Sequence, residues 1–414
     1  MDQSPIIVGA GIAGLSSALA LAHKGIASTI IEKCNQLDTV GAGIQLTPNA
    51  TRILSQWGVL NKLTKAGITP HFLELRDGVS LKTRLRVDLI NLSKKKWKFP
   101  YITIHRAALQ KTLYEAVIEN PYIKYKTAEA VISATQIALS NIHIKTVKTD
   151  VSTKIQQDQF YSTSLLIGCD GVWSTLRQLP PFHEKADFSG FIAWRATTDF
   201  ENFPESFRLL LQDLKTITAW MGPKSHLIIY PIQSSEKKFN LVSITHGKNS
   251  KEGWAHKGNK ETLKSLFKGW DAQILQIFDY IDNWTYWPLF QMKQNRFLGL
   301  ERQVFVGDCA HAALPFAAQG AAMAIEDAAI LAELLSHKDL SQTKALLLYE
   351  KIRAPRVKAV KKRGDFNRIA YHATGPIAIA RNLIMKTHTP ESIMSRLNWL
   401  YMYDAMNHAI IHHL

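Results

Sequence analysis

Short apolar runs alternate with helix-like stretches over much of this 414-residue sequence. Four runs are apolar or β-branched and end at a glycine or an acid, which predicts buried strands at residues 6–8, 28–31, 165–167 and 304–306. Apolar residues at helical spacing predict helices after Gly11, between His105 and Asn120, and between Ala321 and Leu335. Strands that alternate with helices favour an α/β fold with a parallel sheet.

The pattern changes between residues 186 and 289. Strand-like runs follow one another there without intervening helices, at residues 191–197, 216–221, 227–232 and 239–245. They predict a mostly antiparallel sheet that is inserted into the first domain. A helix is expected over residues 261–281, and two more near 341–352 and 354–372.

These elements divide the chain into three expected parts. The first domain is discontinuous and comprises residues 1–70, 101–185 and 290–352. The inserted sheet domain comprises residues 71–100 and 186–289, and a C-terminal helical region comprises residues 353–414.

The chain is strongly basic, with 50 Lys and Arg residues against 34 Asp and Glu residues and a formal net charge of +16. Lysine and arginine cluster at residues 94–96 and 361–363. These clusters are either solvated surface or an attraction for anions such as a pyrophosphate cofactor, a nicotinamide nucleotide or a carboxylated substrate. Since no basic stripe is interleaved with aromatic residues, we expect no nucleic-acid partner.

Three cysteines, Cys34, Cys169 and Cys309, form no CxxC pair. Their number argues against a disulfide framework or a dithiol redox centre and fits a reducing cytoplasm. The N-terminus lacks the basic start of a signal peptide, and the most apolar stretch is a poor membrane span. We therefore expect a cytoplasmic protein without stable membrane insertion, either a monomer or a homodimer, and we assign no metal ligand.

The first strand, turn and helix carry a dinucleotide-binding pattern. Gly9, Gly11 and Gly14 form GxGxxG between the strand and the helix, and Glu32 ends the next strand. In such a unit Gly9 permits the tight turn, Gly11 lets the backbone approach a pyrophosphate, and Gly14 lets helix and strand pack closely. Glu32 lies where a ribose hydroxyl would need an acid, and it favours FAD or NAD over a phosphorylated ribose.

Two further acids follow predicted strands, Asp170 and Asp308. In open α/β sheets ligands bind outside this end of the strands. A predicted helix starts near Gly320, and the free N–H groups and partial positive charge of its first turn suit an anionic group. Arg106 lies in the first turn of another helix, where cations are disfavoured. It is either a surface residue or a partner for a phosphate or a ring carbonyl.

The ordered set Gly9-x-Gly11-x-x-Gly14, Asp170-Gly171 and Gly307-Asp308 resembles the single-component FAD-dependent aromatic hydroxylases, the p-hydroxybenzoate hydroxylase family, over nearly the whole chain. Residues 319–328 and 399–401 are similar to its salicylate hydroxylase, 3-hydroxybenzoate 6-hydroxylase and 6-hydroxynicotinate 3-monooxygenase branch. The resemblance implies an FAD-binding Rossmann-like domain of the glutathione reductase type, with an inserted β-sheet substrate domain and C-terminal helices.

The resemblance also implies a chemistry. FAD would be bound non-covalently, and NADH or NADPH would visit as a transient co-substrate. With O2, a flavin C4a-hydroperoxide would hydroxylate a small phenolic or hydroxypyridine carboxylate, with or without decarboxylation.

By family pattern the cofactor residues share one cleft. The glycines would meet the FAD pyrophosphate, Glu32 the adenosine ribose, and Arg106 the ribityl–phosphate arm. Asp308 would hold the ribityl chain. The backbone N–H groups of Gly320, Ala321 and Ala322 would face the pyrimidine edge of the flavin.

The cofactor pattern differs from the family at one position and allows an alternative interpretation at another. Lys33 stands where many relatives carry arginine. The set Asp170, Gly171, Ser174 and Arg177 resembles a second fingerprint linked to FAD and to the nicotinamide cofactor. A purely structural turn with an ion pair is its alternative.

The substrate side is expected on the inserted sheet. His226 and Tyr230 are four residues apart on a predicted strand, so they point to one face. The resemblance implies His226 as the base that deprotonates a phenol and Tyr230 as the group that orients it, while Gln319 and the backbone carbonyl of Pro315 face the ring. The alternative is an ordinary sheet with a satisfied histidine and a packed tyrosine. Arg195 is a further candidate for pairing with a carboxylate.

Two other functions are compatible with the sequence. One is hydroxylation or epoxidation of a larger isoprenoid or polyketide ring on the same fold. The other is a flavin-binding protein without catalytic activity. The presence of His226, Tyr230 and Gln319 together argues against this function.

Overall fold

The computed structural model describes residues 4–36, 42–138, 141–150, 153–211, 213–233, 237–248, 256–408 and 411. Residues 409–410 and 412–414 of the predicted C-terminal region lie outside the described residues. The fold class is confirmed as α/β, with a parallel sheet, a larger mostly antiparallel sheet and C-terminal helices. Among the described residues, no helix combines the length and the apolar composition needed to cross a membrane.

The strands are numbered along the chain. They are β1 (Ile6–Val8), β2 (Ser28–Ile31), β3 (Gly43–Leu46), β4 (Phe72–Asp77), β5 (Thr83–Asp88), β6 (Ile102–His105), β7 (Ile123–Lys126), β8 (Glu129–Ala138), β9 (Asn141–Thr149), β10 (Gln156–Thr163), β11 (Leu166–Gly168), β12 (Asp187–Asp199), β13 (Thr216–Gly222), β14 (Ser225–Gln233), β15 (Lys238–His246), β16 (His256–Lys257), β17 (Thr285–Gln291) and β18 (Gln303–Phe305).

The helices are numbered in the same way. They are α1 (Ile12–His23), α2 (Pro48–Gln56), α3 (Leu60–Ala66), α4 (Leu89–Leu92), α5 (Arg106–Ile118), α6 (Thr175–Gln178), α7 (Glu205–Arg208), α8 (Lys260–Ser265), α9 (Ala272–Tyr280), α10 (Asp308–His311), α11 (Gly320–Ser336), α12 (Gln342–Tyr371), α13 (Gly375–Thr387), α14 (Pro390–Ser395) and α15 (Asn398–Tyr401). A π-helical turn spans Ser93–Trp97, and 3-10 turns span Phe200–Asn202 and Pro315–Ala317.

The parallel sheet, as far as the chain is described, has the strand order β18-β11-β1-β2-β7. Its central strands are fully buried because helices cover the sheet. Helix α1 packs along α11 and α5. The sheet order places the ends of β1, β11 and β18 next to one another, although they are more than a hundred residues apart in sequence.

The larger sheet has the order β16-β17-β12-β15-β14-β13-β4-β5 within the described residues. All of its pairs are antiparallel except β13 with β4. Its two faces carry different side chains. One face, with Trp220, Leu227 and Leu241, packs on α8 and α9 to form a separate core. The other face looks towards the parallel sheet, and Phe191 and Trp287 lie there with Phe316.

The helix predicted over residues 261–281 is wrong in extent, because the structure has α8 and α9 separated by a turn. Gly269 in that turn adopts a positive φ of +86°. The carboxylate of Asp271 then accepts the N–H of Gln273 at 2.8 Å and caps the new helix. Apolar spacing continued through the turn, so the sequence pattern concealed it.

The helix break predicted near residue 353 is also wrong, since α12 continues through Pro355. Proline removes one hydrogen bond of the helix interior and usually kinks or ends it. Here Pro355 is exposed, while the flanking Arg353 and Arg356 are buried and anchored to acids on α11. The tertiary ion pairs hold the helix together across the proline.

A buried ion cluster joins α11 to α12. Arg353 donates to Asp327 at 2.6 Å and to Glu326 at 2.8 Å, and Arg356 donates to Glu326 at 2.7 Å. Asp327 also accepts the N–H of Gly307 at 2.8 Å. Burial alone would raise the pKa of Asp327, but His311, Arg353 and this N–H outweigh it and hold the pKa at about 2. The cluster therefore stays charged and fixes the turn after β18.

We predict that Arg353→Met lowers the free energy of unfolding by about 3–5 kcal/mol, because it leaves two buried carboxylates short of a partner. Lys358→Met on the same helix is the matched control, since Lys358 is exposed. That control should change the free energy of unfolding by no more than about 0.5 kcal/mol. Urea denaturation followed by tryptophan fluorescence measures both, and equal effects would contradict the role of the cluster.

Candidate active site

Three glycine turns meet at one edge of the parallel sheet, after β1, β11 and β18. Gly9 has a φ of +99°, and a Cβ there would lie 2.7 Å from the carbonyl oxygen of Cys169. Gly307 has a φ of +67°, and a Cβ there would lie 2.9 Å from the Cβ of Ala13. A side chain at Gly9 or Gly307 would therefore clash with a neighbouring segment, so the backbone approaches closely at these two positions.

A cleft of about 400 Å³ starts at these turns and ends at the larger sheet. This volume lies within the range of small-molecule sites. On the side of the parallel sheet the cleft is lined by Gly11, Arg106, Gly171, Asp308, Gln319, Gly320 and Ala321. On the side of the larger sheet it is lined by Arg195, His226, Ile228, Tyr230, Val242, Ile244 and Trp287. One continuous space thus connects the predicted cofactor residues to the predicted substrate residues.

The glycine turn has room for a phosphate group. A Cβ on Gly11 would meet nothing within 4 Å, so open space lies over the start of α1. A Cβ on Gly14 would instead lie 1.8 Å from the carbonyl oxygen of Gly9. Free N–H groups at a helix start bind phosphate groups. The geometry fits the pyrophosphate of a dinucleotide above Gly11 and a packing role for Gly14.

Charged groups line the same part of the cleft. Arg106 is half-buried at the start of α5, and no carboxylate pairs with it among the described residues. Asp308 is exposed in the cleft after β18. The start of α11 faces the cleft through Gly320 and Ala321, whereas Ala322 is fully buried beside them. The cation of Arg106, the carboxylate of Asp308 and the first turn of the 17-residue helix α11 suit the phosphate, hydroxyl and carbonyl groups of FAD.

Glu32 ties the glycine turn to the end of β2. Its carboxylate accepts the N–H of Ala10 at 2.6 Å and the N–H of Cys34 at 2.8 Å. Lys33 beside it is exposed. The ribose contact expected of Glu32 and the cofactor contact expected of Lys33 stay predictions.

The second fingerprint is held by hydrogen bonds within the protein. Asp170 accepts the N–H of Leu176 at 3.0 Å, and Ser174 accepts the N–H of Arg177 at 3.0 Å. Arg177 is fully buried, and its guanidinium donates to Glu184 and to the carbonyl oxygens of Gln294, Cys309 and Ala310. For Ser174 and Arg177 this geometry favours the structural alternative, since Arg177 fixes the backbone that follows Asp308. Gly171 lines the cleft, and cofactor contacts of Asp170 and Gly171 stay predictions.

Strand β14 presents alternate residues to the cleft. Leu227 and Ile229 face the separate core, while His226, Ile228 and Tyr230 line the cleft. The Nδ1 atom of His226 lies 2.8 Å from the Nε2 atom of His372, which follows α12. The Nε2 atom of His226 is buried without a hydrogen-bond partner among the described residues. Burial, and then the neighbouring His372, lower the pKa of His226 well below 6.5.

Tyr230 is kept protonated by its surroundings. Burial raises the pKa of its hydroxyl, and this effect exceeds the opposing effects of Arg195 and of a hydrogen bond with Gln45. The side-chain Oε1 atom of Gln45 in turn accepts a hydrogen bond from the hydroxyl of Tyr101 at 2.5 Å. Gly43 makes this packing possible, because a Cβ there would lie 2.7 Å from the Tyr230 ring.

Gln319 is fixed by a second buried network. Its Nε2 atom donates to Thr47 at 3.1 Å, and its Oε1 atom accepts from Asn49 at 3.1 Å. Asn49 also donates to Glu326 at 2.7 Å, so the network ends in the ion cluster of α11 and α12. Pro315 opens the 3-10 turn that lines the cleft beside Gln319. The contacts expected between these two residues and a substrate stay predictions.

Sequence reasoning missed several residues of the site. His372 and Lys361 belong to or follow α12, and Thr47, Asn49 and Gln45 come from the region of β3 and α2. Lys361 lines the cleft, and burial lowers its pKa to about 8. Each of these residues reaches the cleft only through tertiary packing. The local sequence offered no signal beyond the basic cluster at residues 361–363.

We predict that Gly11→Ala and Gly14→Ala fail in different ways. A methyl group at Gly11 would occupy the space expected for the pyrophosphate and weaken FAD binding about 5- to 150-fold, corresponding to about 1–3 kcal/mol of overpacking. The apoprotein should unfold at an unchanged temperature. Gly14→Ala should instead lower the unfolding temperature of the apoprotein. FAD titration and thermal denaturation measure both, and unchanged FAD affinity in Gly11→Ala would contradict the placement.

The comparisons with known proteins agree with this geometry. Residues 3–364 match the FAD binding domain family. A 3-hydroxybenzoate 6-hydroxylase of Klebsiella oxytoca is 32% identical over 403 residues, which cover 97% of this chain and 97% of the relative. The 3-amino-4-hydroxybenzoate 2-monooxygenase PtnB3 of Streptomyces platensis is 28% identical over 403 residues, with 96% of each chain covered.

Solved structures show the same fold. A salicylate hydroxylase substrate complex has a TM-score of 0.79 at 19% identity and covers 99% of this chain and 97% of its own. Klebsiella pneumoniae HpxO complexed with FAD and uric acid has a TM-score of 0.78 at 20% identity, with 96% of each chain covered. FAD as the cofactor and the resemblance to the FAD-dependent aromatic hydroxylases are confirmed. The chain belongs to the FAD binding domain family and is an FAD-dependent monooxygenase.

Proposed function

We propose that this monooxygenase uses NADH or NADPH and O2 to hydroxylate a small phenolic or hydroxypyridine carboxylate, with or without decarboxylation. One observation carries the proposal: a single cleft joins the glycine turn and the start of α11 to His226 and Tyr230. A ring bound against the larger sheet would therefore lie next to the flavin. Such proximity is what transfer of an oxygen atom to the ring requires.

The size of the cleft and the relatives of the chain support a small aromatic acid as the substrate. About 400 Å³ must hold part of the flavin as well as the substrate, which favours a single ring over a larger isoprenoid or polyketide. The relatives named above act on 3-hydroxybenzoate and on 3-amino-4-hydroxybenzoate. Both compounds combine a ring hydroxyl with a carboxylate.

Bound FAD would supply the redox chemistry, as a hydride acceptor for NAD(P)H and a means of activating O2. The protein would hold the flavin in place. The N–H groups at the start of α11 would stabilise negative charge at its pyrimidine edge. Asp308 would accept hydrogen bonds from ribityl hydroxyls, and Arg106 would pair with a phosphate.

His226 acts as the general base. His226 lines the cleft, and its Nε2 atom has no hydrogen-bond partner among the described residues, so this atom can accept the proton of a substrate hydroxyl. This requires the proton of His226 to reside on Nδ1 and to be donated to Nε2 of His372. With His372 as the acceptor, the tautomer of His226 leaves Nε2 free. Loss of the phenol proton raises electron density on the ring and prepares it for hydroxylation.

Tyr230 and Gln319 position the ring. The Tyr230 hydroxyl stays protonated, so it donates a hydrogen bond to the substrate oxygen. Gln319 and Pro315 close the cleft on the flavin side, and the Thr47 and Asn49 contacts keep the Gln319 amide in one orientation. Apolar Ile228, Val242 and Ile244 exclude water from the ring.

A panel of hydroxylated aromatic acids tests the reaction. We expect hydroxybenzoates or hydroxypyridine carboxylates to accelerate NADH or NADPH oxidation by the holoenzyme, with a hydroxylated product in proportion. Product identification by mass spectrometry separates hydroxylation from release of peroxide. If no acid of the panel is hydroxylated while a larger isoprenoid or polyketide ring is, the proposed substrate class is wrong.

The base is tested with His226→Ala. Removing a general base should slow hydroxylation about 10²- to 10⁴-fold, while reduction of FAD by NAD(P)H in stopped-flow experiments changes little. His143→Ala is the control, because His143 is exposed on β9, in a different sheet. Hydroxylation at the wild-type rate in His226→Ala would exclude this role.

The pH profile supplies an independent readout of the same base. The neutral form of His226 accepts the proton, and its pKa lies well below 6.5, so this form persists to lower pH than in an ordinary histidine. Hydroxylation in the wild-type enzyme should therefore not fall with an apparent pKa near 6.5 between pH 8 and pH 6. A histidine of ordinary pKa would lose about three quarters of its neutral form at pH 6.

A further inference from the structure

Arg195 is a half-buried cation, and no carboxylate pairs with it among the described residues. It lies on β12, lines the cleft, and its Nε atom is buried without a hydrogen-bond partner among the described residues. Its guanidinium carbon is 4.7 Å from the centre of the Trp287 ring. A guanidinium that is partly withdrawn from water and has no anionic partner is costly, and a bound anion would offset part of that cost.

The nearby charged groups do not fill this gap. Asp308 is the acid among the described residues that line the cleft. The positive groups that act on its carboxyl are His311, Arg106 and Lys361, and Arg195 is not among them. The groups that influence Arg195 are Tyr230, which is protonated, and Arg106, which repels it. Withdrawal from water is the main cause that lowers the pKa of Arg195, and the positive charge of Arg106 adds to it. The position next to Arg195 is therefore electrostatically prepared for an anion from outside the protein.

The register of the sheet sets the distance from Arg195 to the base. Arg195 pairs with Val242 on β15, and Val242 pairs with Ile228 on β14. Ile228 lies between His226 and Tyr230 along β14. Two strand spacings, about 9–10 Å, thus separate the backbone of Arg195 from the strand that carries the base. A single ring lying over Val242 and Ile228 would present one substituent to His226 and another to Arg195.

We propose that Arg195 binds the carboxylate of the substrate and so selects carboxylated rings over neutral ones. The inference rests on the proposed function and adds the group that distinguishes an acid from a plain phenol. The guanidinium lies over the Trp287 ring. A planar guanidinium can pair with a carboxylate through two parallel hydrogen bonds.

The test compares 3-hydroxybenzoate with its neutral analogue 3-hydroxybenzamide in the holoenzyme. Binding is followed by the change in flavin absorbance. Wild-type enzyme should bind the acid more tightly than the amide. In Arg195→Gln the dissociation constant of the acid should rise roughly 30-fold or more, while that of the amide changes less than about 3-fold. Arg195→Lys keeps the charge without the planar fork and should recover part of the affinity for the acid.

Controls separate this inference from its competitors. Arg86→Gln changes an exposed arginine of the same sheet outside the cleft and should leave both dissociation constants unchanged. FAD content and FAD affinity should be equal in wild type and Arg195→Gln. Weaker FAD binding in that variant would assign Arg195 to the flavin and overturn the inference.

The outcomes also separate the inference from the proposed function. Equal affinity of wild-type enzyme for acid and amide, with both hydroxylated, would overturn the role of Arg195 and leave the proposed reaction intact. An equal loss of affinity for acid and amide in Arg195→Gln would likewise overturn carboxylate recognition. If neither compound nor any acid of the wider panel is hydroxylated by wild-type enzyme, the proposed function itself fails.

Discussion

The buried ion cluster of Glu326, Asp327, Arg353 and Arg356 is the constraint on which the cleft depends. Asp327 holds the N–H of Gly307 and the ring of His311, so it fixes the turn that presents Asp308. Glu326 holds Asn49, which holds Gln319. One set of charges therefore positions both the flavin side and the substrate side of the cleft. Because unpaired buried charges are costly, the cluster permits a single arrangement of these parts.

The glycine turns and the strand-end acid that line the cleft were predictable because their signals are local. Gly9, Gly11 and Gly14 act through backbone geometry within one turn, and a strand before them and a helix after them confirm the context. Asp308 likewise comes just after an apolar strand, next to Gly307. Parallel sheets bring such strand ends to one edge whatever the length of chain between them. The fold class followed from the same alternation of strands and helices.

The remaining parts of the site depend on packing between distant segments. His372 meets His226 across 146 residues of chain, and Asn49 meets Gln319 across 270. Nothing in the local sequence of either partner announces the contact. The helix errors have the same origin. At Pro355 tertiary ion pairs outweigh the local preference for a break in the helix. At Gly269 the reverse holds, because the helix is interrupted by a turn although the apolar spacing continues on both sides of it.

The side of the larger sheet that lines the cleft is mostly apolar, and a few polar groups on it distinguish one end of a bound ring from the other. Val242 and Ile228 offer a flat apolar surface on which a ring could lie in many orientations. Three polar groups break this symmetry: the bare Nε2 of His226, the protonated hydroxyl of Tyr230 and the uncompensated guanidinium of Arg195. The proposed base and donor on β14 lie two strands away from this cation. A ring with a hydroxyl at one end and a carboxylate at the other would satisfy all three groups at once, and the reversed ring would place its carboxylate against neutral His226 and leave Arg195 unpaired.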